Sequence, residues 1–308
     1  MAALNEAVVR VGAVGICGSD LHWFGEGSIG DSSLTAPLVL GHEIAGTVEG
    51  GPLDGQVVAV DPAIPCGTCD TCRRELRHLC PEVRFAGHGS VDGGMRERMA
   101  WPSELLHPLP SALTAADGAM LEPLGVAIHA VDLGKLRPRV AVAVIGCGPI
   151  GLMIIQVARC HGADVVVAVD PLAHRRELAL RLGAGSAADP EEAIGNLDVD
   201  VAFDVVGSPA AVEIAVGAAR PGGRVVLVGI PDDDRTSFPA AAARRKGLTL
   251  LVSRRMAEVY PRAIDLVAEG AVDVRSIVSH RYKLDAAAEA FDTARRRLGH
   301  KVLIVPSG

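Results

Sequence analysis

The sequence predicts an α/β chain: a doubly wound parallel sheet joined to a smaller β-rich domain. From residue 140 onward, apolar runs of strand length alternate with helical patterns, which is how a parallel sheet with covering helices is written. Ahead of it, short strand-like runs are divided by Gly and Pro. Aromatic residues make up only 3% of the chain while hydrophobic residues make up 49%, so the cores must be built from Val, Leu, Ile and Ala. Such side chains suit strands buried on both faces.

At 308 residues the chain is long enough for two cores, and its 22% charged residues are ordinary for a globular protein. The formal net charge of -7 disfavours nucleic acid as a partner. The short cationic runs at residues 244–246 and 295–297 end helical patterns, where positive charge suits the helix dipole. Residues 1–10 carry Asn5, Glu6 and Arg10 and read as no signal peptide. The apolar stretch 140–155 is broken by Gly146, Gly148, Pro149 and Gly151, so it reads as no membrane span. A cytoplasmic chain without membrane or nucleic-acid partners is expected. Seven cysteines, an odd number, argue against a disulfide framework.

Taken in order, residues 7–14 form the first strand pattern, and Cys17, Ser19, Asp20 and His22 crowd the turn behind it. Taken alone, Cys17 there is either a packed thiol or a ligand awaiting partners. A polar loop at residues 25–33 follows, then Gly41-His42-Glu43 leading into a strand at residues 44–48, and another strand at residues 57–61. Cys66, Cys69, Cys72 and Cys80 form a C-x2-C-x2-C-x7-C array. Four thiolates at this spacing can enclose one tetrahedral zinc with no position left for substrate. An iron–sulfur cluster is the alternative, since Pro81 follows Cys80 as proline follows the last cysteine of some cluster motifs. The spacing favours zinc. A turn and strand at residues 91–102 and two helical patterns, residues 114–120 and from residue 121, complete the front part. Glu122 precedes Pro123 at a helix start, where a carboxylate also serves the dipole.

The strand at residues 140–145 runs into Gly146-Cys147-Gly148-Pro149-Ile150-Gly151, and a helix follows to Cys160. The next strand, residues 164–169, ends at Asp170, nineteen positions past Gly151. Strand, Gly-x-Gly-x-x-Gly, helix and trailing acid together are the context of a dinucleotide site. Gly146 makes the turn, Gly148 admits the pyrophosphate and Gly151 lets helix and strand approach. Asp170 suits the ribose hydroxyls of NAD and repels the extra phosphate of NADP, while Arg175 softens that repulsion and keeps NADP open. Further strands at residues 199–206 and 225–228, with a helix at residues 210–219 between them, continue the alternation. The C-terminal part reads as helix 257–269, strand 277–282, helix 285–297 and strand 300–305.

Seven stretches, GICGSDLHW, PLVLGHEIAGTV, CGTCDTC, LEPLGVAIHA, GCGPIGL, YPRAIDL and HKVLIV, occur in this order along nearly the whole chain. With them the sequence resembles the zinc-dependent medium-chain alcohol dehydrogenases, on the side of the sorbitol (polyol) dehydrogenases. The resemblance implies a GroES-like catalytic domain over residues 1–125 and 256–308 and a Rossmann domain over residues 126–255. It implies a catalytic zinc held by Cys17, His42 and Glu122, with Glu43 a ligand or neighbouring carboxylate, and a structural zinc at Cys66, Cys69, Cys72 and Cys80. Ser19 and His22 would relay the alcohol proton to solvent. Gly146, Gly148, Pro149, Ile150, Gly151, Asp170, Arg175, Val206 and Val228 would bind NAD. Arg255, six residues before Pro261, and Trp23 would face substrate, although a surface arginine and a core tryptophan are the plainer readings of those two. The implied reaction is oxidation of a secondary alcohol of polyol or sugar type, with an amino-alcohol substrate or an impaired NAD-binding protein as alternatives. A homo-oligomer is implied as well. Relatives carry a further hairpin ahead of residues 8–14 and a longer segment at residues 47–57, so an exposed strand edge that invites another chain is expected.

Overall fold

The computed structural model describes residues 6–30, 32–193 and 197–306. The signal-peptide reading of residues 1–10 therefore falls partly outside the described residues. The chain divides into two compact units: Met1–Gly125 with Ala257–Gly270 and Val274–Gly308, and Val126–Met256 with Ala271–Asp273.

The first unit is built on a seven-stranded sheet ordered 278–283, 301–305, 6–15, 43–49, 57–60, 106–108, with 98–102 also pairing the first strand. Glu6–Gly15 is the strand on which the others depend. Along one edge it pairs antiparallel with Glu43–Glu49. Along the other it pairs with Arg98–Pro102 near its start and with Lys301–Val305 at its end. Among the described residues both sides of this strand are paired. Its alternate residues Val9 and Val11 are fully buried, with Val14, against Ile44, Val48, Val58, Val60 and Trp101. Each fully buried aliphatic side chain contributes roughly 1.5–3 kcal/mol, which makes this the unit's main source of stability.

Where the sequence pattern reads a turn after this strand, the structure opens a helix, Gly18–Glu26, directly behind Cys17. Asp20 supplies the start signal by accepting the Cys17 N–H at 2.9 Å. Gly27 closes the helix in the left-handed conformation, φ 65°.

The second unit is a six-stranded parallel sheet in the order 186–188, 165–169, 141–145, 199–204, 219–227, 249–252. Counting from Ala141–Ile145, the order is 3-2-1-4-5-6, the doubly wound arrangement in which ligands bind where the strand order reverses. That reversal lies at the C-terminal end of Ala141–Ile145, where Gly146 begins the glycine turn. Among the described residues no helix is long and apolar enough to cross a membrane.

Candidate metal centre and dinucleotide cradle

Among the described residues, two groups of side chains that could hold a metal form in the first unit, and neither shares a residue with the other. In one, the donor atoms of Cys17, His42 and Glu43 all lie within 4.8 Å of one another. Cys17 stands at the end of the first strand and start of the helix, and His42 and Glu43 enter the neighbouring strand. The antiparallel register sets Gly15 opposite Glu43, so the pairing itself brings the thiol and the carboxylate to one place. A Cβ on Gly15 would stand 1.7 Å from Glu43 Oε2, so only glycine leaves room for that carboxylate.

Buried charge organises the group. Asp20 is fully buried, and its carboxylate accepts from Cys17 N at 2.9 Å and Gly41 N at 3.2 Å and lies 3.5 Å from His42 Nδ1. Burial works against an imidazolium at His42, but Asp20 and the Cys17 sulfur beside it raise its pKa well above the usual value. Lys301 forms a buried ion pair with Glu43 and donates to the Ile16 carbonyl at 2.9 Å. Burial pushes Glu122 up to about 7, opposed by the charge of His42. Glu122 is buried, but it lies outside the set of mutually close donors. The structure thus groups Cys17 and His42 with Glu43, which the resemblance gave as a ligand or neighbouring carboxylate beside Glu122. Asp20 stood in the crowded turn of the sequence without a role assigned to it, and Lys301 was missed. Asp20 had a signal, its place three residues after a helix-starting position; Lys301, a charge inside an apolar strand, had none.

The second group is Cys66, Cys69, Cys72 and Cys80, whose sulfurs also lie within 4.8 Å of one another. Cys66 and Cys72 sulfurs are 4.0 Å apart and those of Cys69 and Cys80 3.8 Å apart. Zinc–sulfur bonds of about 2.3 Å in a tetrahedron set sulfurs roughly 3.8 Å apart, so the thiols are already at metal spacing. All four are free thiols. Amides of Thr68 and Cys69 lower Cys66 to about 6, whereas burial pushes Cys72 up to about 12. A cation that draws off the Cys72 proton completes the set.

In the second unit, the helix Pro149–Cys160 starts at Gly148 with Pro149 in its first turn, so its free N–H groups face the glycine turn. Gly146 has φ 98°, and a Cβ on Gly151 would lie 1.9 Å from the Gly146 carbonyl oxygen. Only Arg175 Nη1, at 3.8 Å, comes near a Cβ built on Gly148, which leaves that backbone open to a ligand. Asp170 ties the turn down: Oδ2 accepts from Cys147 N at 2.8 Å and Oδ1 from Leu172 N at 2.9 Å. Arg175 Nη1 stands 3.8 Å from Asp170 Oδ2. Ile150 and Val228 are half-buried and Val206 is exposed.

With both metal groups and the cradle in view, two family models cover most of the chain. "Alcohol dehydrogenase GroES-like domain" matches residues 3–111 and "Zinc-binding dehydrogenase" matches residues 149–269. Sorbitol dehydrogenase of Bacillus subtilis (strain 168) is 32% identical over 98% of this chain and 91% of that protein. The chain belongs to the zinc-dependent alcohol dehydrogenase family. Among solved structures, L-idonate 5-dehydrogenase from Escherichia coli K-12 superposes on this dehydrogenase with a TM-score of 0.91 at 30% identity, covering 98% of this chain and 91% of that one. A zinc-binding dehydrogenase from Sinorhizobium meliloti 1021 bound to NADP gives 0.90 at 32% identity, covering 98% and 92%.

The remaining sequence-predicted residues are placed as follows. Ser19 and His22 lie one turn apart on the dehydrogenase's Gly18–Glu26 helix, both half-buried, and His22 Nδ1 is 3.5 Å from Glu26. Trp23 is buried edge-on against His88 at 5.0 Å, so its ring packs inside the first unit. Outside the sequence-predicted set, the Phe85 ring lies 5.4 Å from that of His42. Arg255, in the second unit, is half-buried with a left-handed φ of 56°, a strained conformation for a residue with a side chain.

Proposed function

We propose that this dehydrogenase oxidises a secondary alcohol of a polyol or sugar, passing a hydride to NAD. The observation that carries the proposal is the convergence of a thiol, an imidazole and a carboxylate, Cys17, His42 and Glu43, within 4.8 Å in a buried site. That donor set fits a catalytic zinc, which keeps a position open beyond three protein ligands. Zinc supplies the Lewis acidity that makes an alcohol hydroxyl acidic near neutral pH, and NAD accepts the hydride from the carbinol carbon.

The chain's own groups do the rest. Cys17 and Glu43 bring negative charge to the metal site, and Asp20 holds the Nδ1 side of His42 so that Nε2 is left for the metal. Glu43, which pairs with Lys301, would be among the residues that hold the cation. Ser19 and His22 carry the alcohol proton outward to solvent, and Glu26 lies 3.5 Å from His22 Nδ1. Glu122 stays close enough to modulate the charge of the site. Each turnover converts alcohol and NAD into carbonyl compound, reduced cofactor and one proton. NAD is favoured over NADP because Asp170 would meet the 2′-phosphate of NADP; Arg175 lies beside it. Cys66, Cys69, Cys72 and Cys80 hold a second, structural zinc. The relatives named as sorbitol and L-idonate dehydrogenases support the polyol class. A homo-oligomer in the cytoplasm is part of the same reading.

The test is reduction of NAD, and separately of NADP, followed by absorbance against a panel of sorbitol, xylitol, L-idonate, 2,3-butanediol and L-threonine. Turnover of a polyol or sugar acid with NAD is expected. Turnover of threonine alone, or tight NADH binding without turnover of any substrate, would overturn it.

A further inference from the structure

We propose that Asp204 is a positioning residue for the dinucleotide. Its buried carboxylate sets the strand-end turn that forms the wall beside the glycine turn; this rests on the reading that the chain binds NAD. Asp204 ends the strand Val199–Asp204 and is 1% exposed. Its Oδ1 accepts from both Val206 N and Gly207 N at 3.1 Å, closing a turn on a single oxygen. Its backbone carbonyl accepts from Val228 N at 2.8 Å and Gly229 N at 3.1 Å, so the same residue also fixes the end of the next strand. Val205 N donates to Ile145 O at 2.8 Å, joining the turn to the strand that carries Gly146.

Asp204 thus ties the ends of two strands directly, and its neighbour Val205 ties them to a third, at the point where the sheet order reverses. The linkage is tight. A Cβ on Gly229 would lie 2.1 Å from Gly207 N, and a Cβ on Gly146 would lie 2.6 Å from Val206 Cγ2. The turn leaves Val206 and Ile230 exposed, at 45% and 52%, although both are large and apolar. Two such side chains held open beside a glycine turn suit the flat face of a nucleotide ring or the apolar edge of its ribose. Val206 cannot set its own position there; the Asp204 carboxylate does so through the amides of Val206 and Gly207. Burial pushes the Asp204 carboxyl up, and the bonds from those two amides oppose that shift.

Binding of NADH to the zinc-loaded enzyme, followed by fluorescence of the reduced cofactor, tests this with two variants. Asp204→Ala removes both bonds and is expected to weaken NADH by about tenfold or more. Asp204→Asn keeps an acceptor oxygen for the same two amides and is expected to restore affinity to within about threefold of the parent. At saturating cofactor, kcat should stay within about twofold in both, since Asp204 touches no reacting atom. Affinity unchanged in Asp204→Ala, or an Asn variant as weak as the Ala variant, would overturn the proposal. Should the Ala variant fail to fold, hydrogen exchange in the parent decides. The Val206 and Gly207 amides are expected to be protected, and exchange at open-loop rates overturns it. A parent enzyme that binds no NADH would instead sink the dehydrogenase reading itself.

Discussion

Lys301 and Glu43 form an ion pair in which each side chain is only 2% exposed. Removing one member of such a pair strands the other charge in the interior, at a cost of about 3–5 kcal/mol. Glu43 also belongs to the Cys17–His42 donor set, so a bound cation can take the place of the ammonium. Lys301→Met is therefore expected to lower stability strongly in chelator-treated protein and by less than half as much in zinc-loaded protein. Urea unfolding midpoints with and without zinc measure this. Equal losses in both states would show that Glu43 does not exchange Lys301 for the metal.

The pair also explains what the sequence could and could not reveal about the site. Cys17 was conspicuous as a thiol at a strand end, whereas His42 entered as a ligand only through the family resemblance. Which carboxylate joins them was not legible, since Glu43 is placed by the missing Cβ of Gly15 and by Lys301, which donates to Ile16 from 285 positions away. The parallel sheet was legible from all-apolar runs such as Val142–Ile145, buried on both faces. The helix Gly18–Glu26 was not: Gly18, Ser19 and Gly25 are poor helix formers, and the helix depends on Asp20 and on packing. The short strand Ser186–Ala188 carries no β-forming side chain and exists because Val167–Val169 pairs with it.

Asp61 gives the protein a pH dependence. Its carboxyl is pushed up to about 6, mainly by burial, against an ordinary value of 3.8, although Ala63 N donates to it at 3.0 Å. The folded protein therefore binds this proton more tightly than the unfolded chain does. The stability it contributes is complete below about pH 4 and is lost as pH rises through about 6. Asp61→Asn removes that loss. Its stability relative to the parent should grow between about pH 4 and pH 7, by at most about 3 kcal/mol and less where solvent reaches the group. A difference that is flat across this range in urea titrations would refute the assignment.

The four-cysteine group predicts a metal count. Serine cannot ionise to replace the Cys72 thiolate, whose sulfur stands 4.0 Å from that of Cys66. Cys72→Ser should carry about one zinc per chain against about two in the parent. NADH affinity should not change, because the dinucleotide cradle lies in the other unit. Elemental analysis of the purified proteins reads the count directly. Retention of both ions would remove Cys72 from the site, and iron with visible charge-transfer absorption would replace zinc by a cluster.

Gly151 separates the cradle from the rest of the fold. A Cβ there would lie 1.9 Å from the Gly146 carbonyl oxygen and 3.0 Å from its carbonyl carbon, backbone atoms that cannot rotate away. Relief requires the Pro149–Cys160 helix to move off the turn, and Gly146 N is itself bonded to Val169 O at 2.7 Å, so the turn resists following it. The free N–H groups at the helix start would then no longer converge with the Gly146–Gly148 backbone on one phosphate. Gly151→Ala should weaken NADH by about tenfold or more and lower stability by about 1–3 kcal/mol, as overpacking does in tightly filled interiors. Zinc content should remain at the parental value, since both metal groups lie in the other unit. NADH titration beside metal analysis separates these effects. An Ala variant with parental NADH affinity would mean that the glycine turn does not hold the dinucleotide.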